Sequence, residues 1–287
     1  MEWLIIALAS IAVLYLASRG KSEVERRADE IMAANPGIDT NLATAQAASQ
    51  VADEALTTAQ TTEVAVPEAQ TVAELEAIWG AALTTVAASL ARARNALTAA
   101  ENAYNGALAV SQGVRDHIAL VKASTGPQVL LYGDANYGGR SQVFAQGSYR
   151  SLSGTHIGND AVSSLTVNKF FVLELYEHDD FGGKFQRFEA TYELFRIPTL
   201  RDTYIGNDSA SSLRIWPNTK VLEERLTGTE ATVTAVRAEL VSVKASVGIL
   251  VEQALRTTAD IKILGIFGAR VAAVEATATQ LEARIAI

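Results

Sequence analysis

The chain has 287 residues, with 24 lysines and arginines against 32 aspartates and glutamates, and no cysteine. A net charge of −8 without a basic stripe or an aromatic-interleaved Lys/Arg patch speaks against nucleic acid as a partner. The lack of cysteine removes disulfides, thiolate catalysis and cysteine-ligated metal, and leaves the compartment open.

The chain opens on an apolar run from Trp3 to Ser18. As a helix it measures roughly 24 Å, short of a ~30 Å hydrocarbon core. Trp3 and Tyr15 lie near its ends, where interfacial aromatics sit. Met1-Glu2 lacks the basic start of a cleaved signal peptide. Residues 1–20 are expected to be a membrane anchor or interface helix, with membrane contact through residues 3–18. A core helix is the competing reading. Arg19, Lys21, Arg26 and Arg27 follow the run, and the positive-inside rule places what comes after them in the cytoplasm.

Residues 40–66 are rich in Ala, Thr and Gln between Asn35-Pro36-Gly37 and Val66-Pro67. One helix, two helices or a linker are all open there, and Pro67 suits the first turn of a helix. From Trp79 a seam begins: Ala82, Val86, Ser89, Ala93, Leu97, Ala100, Tyr104, Ala107, Ser111, Val114, Ile118, Val121. Steps of three and four residues mark a coiled-coil-like helix face, here made of small residues that allow close approach and bury little area. Gly126-Pro127 ends it.

Residues 128–217 say the same thing twice. Ile157-Gly158-Asn159-Asp160-Ala161-Val162-Ser163-Ser164-Leu165 recurs as Ile205-Gly206-Asn207-Asp208-Ser209-Ala210-Ser211-Ser212-Leu213. Upstream, Tyr132 to Gly139 recurs as Tyr176 to Gly183, each with a second aromatic, Tyr137 or Phe181, before a Gly-Gly pair. The first pair is offset by 48 residues and the second by 44, so the duplication gained about four residues internally. Segments 128–132, 141–144, 164–167, 171–176 and 212–216 read as short strands with a period of two. Gly138-Gly139 and Gly182-Gly183 supply the positive φ that a tight hairpin needs. Four short strands per copy suggest Greek keys stacked into a sandwich. Clustered Asn, Asp and Ser on a turn either hold that turn or ligate a hard cation through oxygen.

These residues resemble a βγ-crystallin domain: two Greek keys, each with an aromatic-x-x-x-x-aromatic-x-Gly hairpin and an Asn/Asp-Asn/Asp-x-x-Ser/Thr-Ser element. The resemblance covers about a third of the chain and matches the polar positions of both copies. It implies two Ca²⁺ sites, each shared between the motifs. Carried over by position, one site takes the hairpin at Gly133, the Asn159-Asp160-Ala161 turn and the Ser211 hydroxyl. The other takes the hairpin at Glu177, the Asn207-Asp208-Ser209 turn and the Ser163 hydroxyl. If the hairpin ligand is a carbonyl, the difference between Gly133 and Glu177 is harmless; if it is a side chain, the first site is weaker. Sites of modest affinity suit a cell-surface, periplasmic or extracellular setting, against the topology read from the basic residues.

After Trp216-Pro217-Asn218 the helical period returns in Val233, Val236, Leu240, Val243, Val247, Leu250, Ala254, Ile261 and Leu264. Each long helix spans about 45–60 residues, or roughly 70–90 Å. Ile261 to Val271 is apolar with Gly265 and Gly268, which fits a turn between two helices or a subunit interface, with a membrane-touching segment as the alternative. The expected fold class is α+β with several regions: an N-terminal apolar anchor helix and a long helical hairpin stalk carrying an inserted all-β double Greek-key sandwich. The boundaries expected are 1–20, 21–125, 126–218 and 219–287. So long a stalk needs further burial, which points to a homo-oligomer through the stalk.

Catalysis finds little. His117, His156 and His178 have no second histidine at i+4, and no nucleophile elbow, phosphate loop or zinc-protease motif is present. Asp179-Asp180 reads as a solvated hairpin tip. The reading is a non-enzymatic, calcium-binding structural or interaction protein. The alternatives are a subunit of a surface filament with the N-terminal helix in its core, and a helical membrane-inserting pore-forming toxin.

Overall fold

The computed structural model describes residues 22–63, 72–263, 265 and 267–286. The anchor expected over residues 1–20 lies outside them. Among the described residues no helix is long and apolar enough to cross a membrane. The elements in order are α1 (Glu23–Ala34), α2 (Thr40–Glu63), α3 (Val72–Lys122), β1 (Pro127–Asp134), β2 (Gly138–Ala145), β3 (Gly147–Tyr149), β4 (Ser164–Val167), β5 (Phe171–His178), β6 (Gly182–Glu189), β7 (Phe195–Ile197), β8 (Ser212–Pro217), α4 (Lys220–Ile263) and α5 (Gly268–Ile285). The chain is thus helical with an inserted antiparallel β-sandwich, and it divides into two compact units, Met1–Val110 with Thr229–Ile287 and Ser111–Gly228.

The first unit is a helical bundle. α1 starts at a capping box, Ser22 Oγ accepting from Glu25 N–H while the Glu25 carboxylate accepts from Ser22 N–H. Of the Ala-rich segment whose state was open, Thr40–Glu63 is one helix, α2, and its alanines explain why it packs. Ala47, Ala48, Ala52, Ala55 and Ala59 are buried against Leu83, Val86, Leu90 and Leu97 of α3 and Val243, Val247 and Leu250 of α4. Small residues let backbones approach, and larger ones on the facing helices supply the area. The turn at Gly265 (φ 68°) lets α5 fold back, where Val271, Val274, Ala278 and Leu281 join the same core. Arg27 and Arg92 share Glu23 and Glu54 at the surface. Within the chain, α1, α2 and α5 pack on the seams of α3 and α4 and share their core.

In the second unit two four-stranded antiparallel sheets run β2-β1-β4-β7 and β3-β8-β5-β6. Each Greek key lends one short strand to the other sheet: β3 of the first copy pairs with β8, and β7 of the second pairs with β4. Alternation turns Val129, Leu131, Leu165 and Val167 of one sheet toward Leu173, Leu175, Leu213 and Ile215 of the other. The unit is larger than the repeat, because Val114, Ile118 and Val121 of α3 and Leu222 of α4 join this core. Where the helices meet the sandwich, Lys122 Nζ donates to Glu223 at 3.0 Å, which holds the Glu223 carboxyl below its ordinary range. Three strands escaped the sequence reading: β3 and β7, at three residues each, and β6, whose outer residues are exposed.

Candidate metal centre

Each hairpin turns through a short 3-10 segment, Ala135–Tyr137 or Asp179–Phe181, with successive left-handed residues that are not glycine. Asn136 and Tyr137 have φ of 56° and 64°, and Asp180 and Phe181 have 56° and 65°. Such a turn is costly for L residues and persists only where its surroundings hold it. A buried serine does so in each copy. Ser164 Oγ accepts from Tyr137 N–H at 3.0 Å and donates to the Asp134 carbonyl at 2.7 Å. Ser212 Oγ accepts from Phe181 N–H at 3.1 Å and donates to the His178 carbonyl at 2.6 Å. The second serine of each Ser-Ser pair is thus a hairpin pin.

The first serine of each pair reaches across the duplication. Ser163 Oγ donates to Asp208 Oδ1 at 2.9 Å, and Ser211 Oγ donates to Asp160 Oδ1 at 3.1 Å. Asp160 and Asp208 sit at φ of 49° and 52°, a conformation that aspartate tolerates better than most residues. Their turns are tied crosswise as well, Asp160 N–H donating to the Ala210 carbonyl and Asp208 N–H to the Val162 carbonyl, both at 3.0 Å. Both carboxylates open to solvent.

The clusters differ from the expected grouping in one respect. Ser163 N–H donates to the Tyr132 carbonyl, and Gly133 faces the Ala161 carbonyl, so the first hairpin gathers with its own Ala161 and Ser163. The aspartate at that cluster is Asp208, from the other motif. Ser211 N–H likewise donates to the Tyr176 carbonyl, so the second hairpin gathers with Ser211 and, through that hydroxyl, with Asp160. The hydroxyl–aspartate pairs are those expected, but each hairpin sits with the opposite motif's aspartate. The reason is register: Tyr132 opposes Ser164 and Tyr176 opposes Ser212, which puts each hairpin beside its own serines.

The Glu177 carboxylate turns onto its own hairpin. It accepts from Lys184 N–H at 3.1 Å, with Lys184 Nζ at 3.8 Å, and that backbone bond lowers its pKa. Gly133 has no side chain to make the corresponding contact in the first hairpin. Ser209 Oγ likewise turns locally, onto the Asn207 carbonyl at 2.9 Å. One residue read as a solvated tip lies at the cluster: Asp179 Oδ1 stands 3.5 Å from Asn159 Nδ2, while its neighbour Asp180 pairs with Arg150. Nothing in the local pattern of Asp179 marked it, because its neighbour comes from the other motif.

The donor set fits a hard cation. Asn159 Oδ1 and Asn207 Oδ1, the same atom in each copy, are buried without a hydrogen-bond partner among the described residues. A buried amide oxygen left unpaired costs about 1–3 kcal/mol, so its recurrence in both copies is a signal. Each cluster adds one carboxylate, one hydroxyl and backbone carbonyls, the oxygen mixture that Ca²⁺ takes, with water completing six to eight ligands. Among the described residues no group of three or more His, Cys, Asp or Glu converges. A cation here would therefore be held mostly by neutral oxygens, with Asp208 as the carboxylate of one cluster and Asp160, with Asp179 nearby, in the other.

No family model matches the chain, and no curated protein matches it in sequence. Among solved structures it is similar to a βγ-crystallin domain from Flavobacterium johnsoniae, at 30% identity and a TM-score of 0.28 over 31% of this chain and 94% of that one. It is also similar to a double threonine-to-serine variant of a βγ-crystallin domain from Clostridium beijerinckii, at 31% identity and a TM-score of 0.28 over 32% and 98%. The amino-terminal domain of protein S matches at 22% identity and a TM-score of 0.28, over 31% and 96%. On its repeated motifs and its double Greek-key topology, the stretch 128–217 is a βγ-crystallin-like module set between helical regions.

Proposed function

We propose that the chain is a non-enzymatic, calcium-binding structural protein whose β module is stiffened by two ions. The observation that carries this reading is the pair of clusters in which an aspartate of one motif meets a serine of the other beside a buried, unpartnered asparagine oxygen. Asp208, Ser163 and the backbone near Gly133 and Ala161 would hold one ion. Asp160, Ser211 and the backbone near Glu177 and Ser209 would hold the other. Bound there, calcium supplies charge neutralisation and a further tie between the two motifs, beside their exchanged strands and crosswise hydrogen bonds. In this reading residues 3–18 attach the protein to a membrane surface, and abundant external calcium favours the outer side.

The test is a calorimetric melt of the full chain in EGTA and again in excess Ca²⁺. Ligand at a hundredfold over Kd stabilises by about 2.7 kcal/mol per site. At roughly 4 °C per kcal/mol for a unit of this size, the β-module transition rises by about 10 °C or more. The double variant Asp160→Asn, Asp208→Asn keeps the turns and loses most of the rise. An unchanged melt in calcium makes the repeated elements structural turns and ends the proposal.

A further inference from the structure

The outward faces of the two sheets occupy equivalent positions and are filled differently. On the second sheet Tyr176 and Phe181 meet edge to face, 5.6 Å apart at 66°. The Arg214 guanidinium lies 3.9 Å from the Phe181 centroid and 5.6 Å from that of Tyr176. Phe185 stacks on Tyr176 at 5.7 Å, and Arg187 lies 5.6 Å from the Trp216 centroid. That face is covered by its own side chains.

On the first sheet Tyr132 and Tyr137 keep the aromatic pair, 5.6 Å apart at 70°. The register puts Thr166 where the second sheet has Arg214, Ser141 where it has Phe185, and Val143 where it has Arg187. Asn168 stands where the second copy has Trp216. All four replacements are smaller. What remains is an open groove of about 490 Å³ beside the two tyrosines, within the ~300–1,000 Å³ range of small-ligand sites.

Leu130 and Val143 line its apolar side, with Leu194 on the rim; Val143 and Leu194 are 54% and 40% exposed. Polar groups stand at its margin: the two phenols, the Thr166 hydroxyl, and the guanidinium of Arg196, opposite Thr166 in register. Among the described residues no carboxylate pairs with Arg196. Arg196 repels a cation that would copy Arg214, and it favours an anion instead. Flat ring faces flanked by hydroxyl and guanidinium donors suit a sugar ring, and a guanidinium prefers a carboxylate, which it binds through two parallel hydrogen bonds.

We propose that this groove binds an acidic sugar, the ring seated against Tyr132 and Tyr137 and its carboxylate paired with Arg196. The experiment is isothermal titration of the full chain with glucuronate and galacturonate, as monosaccharides and as oligomers, against a neutral glucose oligomer. EGTA is present throughout, so that calcium bridges nothing and the outcome is independent of the cation sites. The expected result is saturable binding of at least one acidic sugar, at least tenfold tighter than the neutral one. Arg196→Ala weakens it by about tenfold, the loss of one charge-assisted pair. Thr166→Phe, which fills the groove with an uncharged ring, abolishes binding while the EGTA melting temperature shows the fold intact. Monosaccharides binding as well as oligomers assign the groove to a free acid, and a preference for oligomers assigns it to a polysaccharide. Absence of binding by every acidic sugar, equal binding of the neutral one, or binding that survives Thr166→Phe overturns the proposal.

Discussion

Two adjacent serines in each copy should fail in opposite ways. Ser164→Ala removes the acceptor of Tyr137 N–H and the donor to the Asp134 carbonyl, at a site with no solvent exposure. The carbonyl lies at an exposed hairpin and can be rewetted, so the cost is that of one stranded buried N–H plus one lost bond, about 2 kcal/mol. At roughly 4 °C per kcal/mol the β-module transition falls by about 8 °C. Ser212→Ala removes the same two bonds in the other sheet and shares no partner with the first, so the double variant loses about 4 kcal/mol. Ser163→Ala removes one bond to an exposed carboxylate and costs under about 1 kcal/mol in EGTA. Urea unfolding of the full chain in EGTA, read as a midpoint change at constant slope, measures each. A loss below ~0.5 kcal/mol for Ser164→Ala, or equal losses for Ser163→Ala and Ser164→Ala, would refute the division of labour between the two serines.

Gly139→Ala should cost about 1–3 kcal/mol, because φ is 71° there and an added Cβ meets the Asp134 carboxylate at 2.6 Å. Asn136→Gly, at φ 56°, should leave the urea midpoint unchanged or raise it, and a fall would count against strain in that turn. In the helical unit Ala55→Leu should destabilise by about 1–3 kcal/mol through overpacking, since Ala55 is fully buried in the shared core; a silent substitution would mean a looser bundle. Burial, with a hydrogen bond to Glu174 second, raises the Tyr176 phenol above its ordinary value of 10.0. The sign is that of a raised group: its contribution is complete below the unfolded value and is lost as pH rises through the folded one. Phenolate absorbance of the wild type minus Tyr176→Phe should place that ionisation above pH 10.0, and a midpoint at or below it would contradict the burial.

The sequence by itself determined what repeats and where periods change. Gly-Gly hairpins, Asn-Asp turns and period-two strands are local signals, since positive φ and alternation act within a few residues. Helix seams were equally legible: Val86, Ala93, Leu97 and Ala100, and then Val243, Val247 and Leu250, are all buried. Tertiary structure alone decided what those faces meet. α2 is too uniform in Ala, Thr and Gln for any stripe to stand out, and only packing against larger residues on α3 and α4 makes its alanines a core. Strand register alone decided that Asp208 joins the first hairpin and Asp160 the second. A motif states which oxygens it can offer, but which motif they are offered to depends on how two sheets exchange β3 and β7. That exchange is long-range pairing of short strands, and three-residue segments carry too little pattern to declare it in advance.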